Sequence, residues 1–237
     1  MSESPVEQQT DALRDLALQA RDELMVQAQR LPVDPARWGA HANETVEALI
    51  RDSGAWDAES GKVSRQALWD LAERTRNSAG QERADLANAL LWTALAWGEG
   101  NDYRHARKLS FALMGAPRDL ARSVFDQAQN PEGAEALFTS LHGPSSSAKV
   151  RYWGPDIFTK FLYFSAPRTN PATHLIVDQR VREVLAARKD PRVGMIHAAP
   201  GGFGWHSYNA SVTLMNQLAQ EWKVRPDDVE YAAFRLA

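Results

Sequence analysis

Lys160 and Asp178 stand eighteen residues apart, and their types suit a nucleophilic amine and a carboxylate that steadies developing positive charge. The stretch reads Trp153-Gly154-Pro155-Asp156-Ile157-Phe158-Thr159-Lys160-Phe161-Leu162-Tyr163-Phe164-Ser165, then a proline-containing break, then His174-Leu175-Ile176-Val177-Asp178. An amine near the start of one helix and a carboxylate at the start of the next can face one cleft. That arrangement suits chemistry at a sugar carbon.

On a helical wheel Ile157, Phe158, Phe161, Leu162 and Phe164 cover one broad apolar arc, and Lys160 falls beside Phe164 at its edge. Partial desolvation is expected there, which penalises the ammonium and favours the neutral amine that forms Schiff bases. A lysine snorkelling from a helix edge into water fits the same position. Asp178 lies between Leu175-Ile176-Val177 and Gln179-Arg180-Val181-Arg182-Glu183-Val184-Leu185, so it reads first as an N-cap. A capping carboxylate is also firmly held beside the positive end of a helix, as electrostatic stabilisation of a cation requires.

The elements that must position this pair read as helical almost throughout, with apolar spacings of three and four and with strand alternation nearly absent. The periodicity predicts helices over 8–30, 42–52, 64–76, 81–97, 103–113, 117–128, 131–141, 155–165, 179–187, 205–222 and 226–235. Proline at the first position of several suits its fixed φ and missing N–H. The segment 85–97 is apolar around most of its circumference and should be a central buried helix. Residues 1–50 read as an appended N-terminal helical segment and 51–237 as the main domain, with its hairpin and reacting region at about 149–188. Ser145, Ser146 and Ser147 form the best linker candidate, and Gly201-Gly202-Phe203-Gly204 reads as a flexible connection rather than a phosphate loop.

An apolar share of 44% and a charged share of 24% over 237 residues are those of an ordinary globular chain. The absence of cysteine excludes disulfides, a thiolate nucleophile and an iron–sulfur cluster held by thiolates. The six histidines show no metal-ligand spacing, so no metal or other cofactor is expected. With no apolar span and no secretory signature at the N-terminus, the expected location is cytoplasmic, away from membranes. Net charge is −3, but residues 1–148 carry 15 basic and 22 acidic side chains against 12 and 8 in residues 149–237. The basic half contains Lys160 and Asp178. Exposed charges act over only about 8 Å at physiological salt, so a local basic face can bind phosphate on an acidic molecule. A chance fluctuation accounts for the asymmetry equally well.

Gly154, Lys160, Val177 and Asp178 match the hairpin glycine, catalytic lysine and Val-Asp pair of the helix-hairpin-helix superfamily of DNA glycosylases, at the same eighteen-residue separation. The fuller string from Tyr152 to Phe164, with Leu175 to Val181, resembles a bacterial family with the 8-oxoguanine DNA glycosylase fold; the resemblance covers about 149–183. It implies an all-α, two-lobed fold acting, as a monomer, on duplex DNA with a damaged base. By the same resemblance Lys160 attacks C1′, forms a Schiff base and eliminates the 3′ phosphate, while Asp178 stabilises the oxocarbenium-like charge. That is a bifunctional glycosylase and lyase, with 8-oxoguanine as its substrate. The target base must be flipped out and held between flat surfaces, for which Trp97, Trp205 and Tyr208 are the candidates. Gly154, Thr159 and Arg180 are the candidates for contact with the DNA backbone.

The chain departs from the family pattern at Phe158, where a second glycine is usual, at Pro155, which lacks a donor, and at Gln179-Arg180 in place of Thr-His. Those departures and the net acidity suit a second reading, an inactive DNA-binding or interaction protein of the same fold in genome surveillance or phage defence. A purely structural helical protein, with Lys160 snorkelling and Asp178 capping, is the third.

Overall fold

Three short polar side chains start three helices near the front of the chain. Asp34, Asn43 and Ser64 accept hydrogen bonds from the amides of Arg37 (3.2 Å), Val46 (3.0 Å) and Ala67 (3.0 Å), satisfying donors that a helix start leaves without partners. A computed structural model of the chain describes residues 5–100, 106–114, 119–142, 150–198 and 203–237. The linker expected at 145–147 and the glycines at 201–202 lie outside the described residues, as do the first residues of the helices expected at 103–113 and 117–128.

In chain order the elements begin α1 (Pro5–Asp22), α2 (Met25–Ala28), β1 (Arg30–Pro32), α3 (Pro35–His41), α4 (Glu44–Arg51), β2 (Trp56–Asp57), β3 (Lys62–Ser64) and α5 (Arg65–Asn77). They continue with α6 (Gly80–Glu99), α7 (Ala106–Met114), α8 (Leu120–Ala128), a 3-10 turn (Pro131–Gly133), α9 (Ala134–His142), α10 (Pro155–Ser165), α11 (Gln179–Ala187), α12 (Trp205–Trp222) and α13 (Pro226–Leu236). Among the described residues the fold is all-α apart from one small antiparallel sheet of order β1-β3-β2. Three features differ from the expected pattern, the first being α3, where no helix was predicted. The helix expected over 8–30 breaks at Leu24, whose φ is 52°, and the chain passes through the short α2 before entering β1. The strands are two or three residues long, too short for alternation to register, and the buried Val63 of β3 pairs with both Leu31 and Trp56.

The chain forms two compact units, Gln27–Ala166 and, from two separate segments, Met1–Val26 with Pro167–Ala237. The segment expected as an N-terminal appendage is therefore divided between them. In the continuous unit α6 is the central helix. From Ala89 to Trp97 every residue is buried, because a helix apolar all round has no face to give to water. It packs against α4, α5, α8 and α10.

In the interrupted unit α13 takes the central place, with α1, α11 and α12 packed against it. It buries acidic side chains as well as apolar ones. Asp227 is satisfied by Arg168 (2.9 Å) and Arg225 (3.1 Å), and Asp228 accepts from the Arg225 amide at 2.9 Å. Burial pushes the Asp228 carboxyl above the usual range. Among the described residues no helix is long and apolar enough to cross a membrane.

Candidate active site

Gly154 and Pro155 start α10. The carbonyl of Gly154 accepts from the amides of Ile157 and Phe158, both at 2.9 Å, and Pro155 occupies the first helical position, where its missing N–H costs nothing. From Phe158 to Ser165 the helix is buried at every position except Lys160. Lys160 is therefore the one side chain of this stretch that emerges at the edge of the unit's core.

Its stem leaves along the end of α6. A β-carbon added at Gly98 would stand 2.9 Å from Lys160 Cε and 3.2 Å from Nζ, closer than atoms normally approach. Glycine at 98 keeps that channel open. Lys160 lines a cavity of about 480 Å³ together with Glu99, His142, Tyr152, Trp153 and Asp156. An amine, two carboxylates, an imidazole and aromatic walls thus share one concavity, the equipment needed for nucleophilic attack with proton transfer. Trp153 is buried, and its indole N–H has no hydrogen-bond partner among the described residues.

Of the other expected site residues, Trp97, Gly154 and Thr159 belong to the same unit as Lys160. Trp97 is 3% exposed, edge-on to Phe164 at 5.4 Å with the Arg65 guanidinium 5.2 Å from its ring. Thr159 is fully buried. Both are packed into the core of this unit. Gly154 is half-buried at the cavity wall.

Asp178, Arg180, Trp205 and Tyr208 belong to the interrupted unit. Asp178 caps α11, its Oδ1 accepting from the Val181 amide at 3.0 Å, as the sequence predicts. Arg180 is exposed, its guanidinium 5.2 Å from the ring of Phe234. Trp205 is half-buried, 5.9 Å from Tyr208. Tyr208 is 1% exposed, and its hydroxyl lies 3.1 Å from His174 Nδ1, so this ring too is packed into the core of its unit. Burial pushes the His174 imidazole down to about 4 and the Tyr208 phenol well above its ordinary value. Arg182, one turn beyond Asp178, is fully buried. It donates to the carbonyls of His197 and Ala198, both at 3.0 Å, and covers Phe203 at 4.0 Å. That ties the segment before α12 to α11.

Gly98, Glu99, His142, Tyr152, Trp153 and Asp156 were not expected at the site. Tyr152, Trp153 and Asp156 lie in the string that carries the family resemblance, and Gly98-Glu99-Gly100 is a helix end beside an all-apolar run, whereas His142 offered no signal. No group of three or more potential metal ligands occurs among the described residues. The model of the family described as "Putative 8-oxoguanine DNA glycosylase OGG-like protein" matches residues 24–234 of the chain. No curated protein and no solved structure matches it.

Proposed function

We propose that this chain, which belongs to the putative 8-oxoguanine DNA glycosylase OGG-like family, is a DNA glycosylase that removes an oxidised purine, 8-oxoguanine first among them, and then cleaves the strand as a lyase. The observation that carries this reading is the emergence of Lys160, alone in a buried helix stretch, into a cavity with Glu99 and Asp156.

The amine of Lys160 attacks C1′ as the N-glycosidic bond breaks, and the bonding pair leaves with the base, which takes up a proton. Opening of the sugar ring returns a pair to O4′ and leaves an iminium between Nζ and C1′. Loss of a C2′ proton then expels the 3′ phosphate. Before attack the ammonium must lose a proton, and Glu99 and Asp156 are the carboxylates of its own cavity that would take it. Asp178 is assigned to steady the positive charge that grows on the sugar; its place at the start of α11 holds it on a rigid element. Arg180, exposed on the first turn of that helix, and the Gly154 segment are assigned to the DNA backbone.

Incubation with a duplex carrying 8-oxoguanine, followed by borohydride, should release the base and yield a covalent adduct. Lys160→Ala should abolish the adduct, and Asp178→Asn should slow its formation by about a hundredfold. Folded protein that releases no base from duplexes carrying any oxidised purine would defeat the proposal.

One observation favours a second reading, a protein of this fold that binds DNA without turnover. Phe158, in place of a second hairpin glycine, is fully buried against Phe138 (5.1 Å) and Trp153 (6.1 Å), so the start of α10 is built for packing. Salt-sensitive DNA binding without any adduct would decide for it.

A further inference from the structure

Tyr152 occupies a backbone conformation that a tyrosine adopts only at a cost. Its φ is 67°, in the left-handed region, and it sits third in a turn closed by the Trp153 amide on the Val150 carbonyl at 3.2 Å. Glycine or asparagine is the ordinary occupant of such a place. The ring gains little burial in return, since Tyr152 is 46% exposed. A strained, exposed aromatic side chain is a feature that stability alone does not maintain.

Its surroundings say what the ring could meet. The Arg151 guanidinium lies 4.8 Å from the ring centroid and Lys108 Nζ lies 5.8 Å from it. Lys108 belongs to α7, where Phe111, three residues on and so its neighbour on the helix surface, is 78% exposed. Arg107 is exposed beside it. Tyr152 also lines the Lys160 cavity. Exposed rings alternating with cations form the surface that single-stranded nucleic acid requires, because bases stack on the rings while the cations meet phosphates. A protein partner drawn by the apolar rings alone would be disfavoured by the cations among them.

We propose that Tyr152, flanked by Arg151 and Lys108, is a stacking platform for an unpaired nucleobase of the DNA strand beside the lesion, at the mouth of the Lys160 cavity. The two cations hold the flanking phosphates, and Phe111 extends the platform. The proposal rests on the glycosylase reading of that cavity.

The decisive variant is Tyr152→Gly, which removes the ring and relieves the backbone, so a fold defect cannot mimic the loss. Its melting temperature should equal or exceed that of the parent protein. Binding is read on a duplex holding an abasic-site analogue with 2-aminopurine as the adjacent base. Tyr152→Gly should weaken affinity about tenfold and raise the 2-aminopurine emission of the bound DNA, while Tyr152→Phe should behave as the parent. The double change Lys108→Gln with Arg151→Gln should reduce the slope of log affinity against log salt by roughly 1.5. Unchanged affinity and emission for Tyr152→Gly, with the parent still forming its borohydride adduct, overturns the platform and leaves the glycosylase reading standing. A parent protein that does not bind this DNA overturns both.

Discussion

At the scale of single residues, a glycine makes room for the proposed nucleophile. Gly98 gives Lys160 its channel, and a methyl group there would collide with the flexible end of the lysine stem rather than with backbone. Gly98→Ala should therefore keep or slightly raise stability, since alanine is the better helix former by about 0.5–1 kcal/mol, while displacing the amine. The expected outcome is a melting temperature at or above that of the parent and an adduct yield lower by about tenfold, read by denaturation and borohydride trapping. His174 makes a separate statement about pH. Burial holds its folded pKa near 4 against an ordinary value of 6.5, so between those limits the unfolded chain binds more protons than the folded one. Stability should then fall as pH is lowered from about 6.5 to about 4, by roughly 3 kcal/mol in all. Urea titrations at several pH values check this, and His174→Gln should flatten the slope in that window.

At the scale of elements, a cap can be separated from a charge. Asp178 holds the start of α11 through one side-chain acceptor. Asp178→Ala should cost about 1 kcal/mol, whereas Asp178→Asn, an equally good cap, should keep stability and lose the electrostatic contribution to catalysis proposed for Asp178. Paired denaturation and trapping measurements distinguish the two. Helices α10, α11 and α12 run over the residues that the sequence predicts, because Pro155, Asp178 and the Phe203-Gly204 break mark their starts locally. Lys160 was legible for a related reason, as a charge interrupting an apolar arc. What stayed hidden depends on distant partners. The three strands owe their existence to one another across thirty residues of chain, and Leu24 breaks an otherwise continuous helical pattern. Glu99 and His142 reach the Lys160 cavity from two segments distant from it in sequence, so no spacing could have announced them. The burial of Trp97 and Tyr208 was equally hidden, because aromatic type does not reveal burial.

At the scale of the whole molecule, the chain is acidic in sum, yet residues 149–237 carry 12 basic and 8 acidic side chains. If a local basic face grips phosphates, DNA affinity must fall steeply with salt, by more than about tenfold between roughly 50 and 200 mM, as counterions compete. Fluorescence anisotropy on a labelled duplex reads this directly, and a flat response would leave the charge asymmetry without a role. The central claim concerns a single covalent bond between Lys160 and a sugar. Its most direct test is to reduce the complex with abasic DNA by borohydride, digest it with trypsin and locate the modified residue by mass spectrometry. The account predicts the sugar remnant on Lys160, in an uncut peptide running from Tyr152 to Arg168. An adduct on any other amine, or none from protein that binds the same DNA, would contradict it.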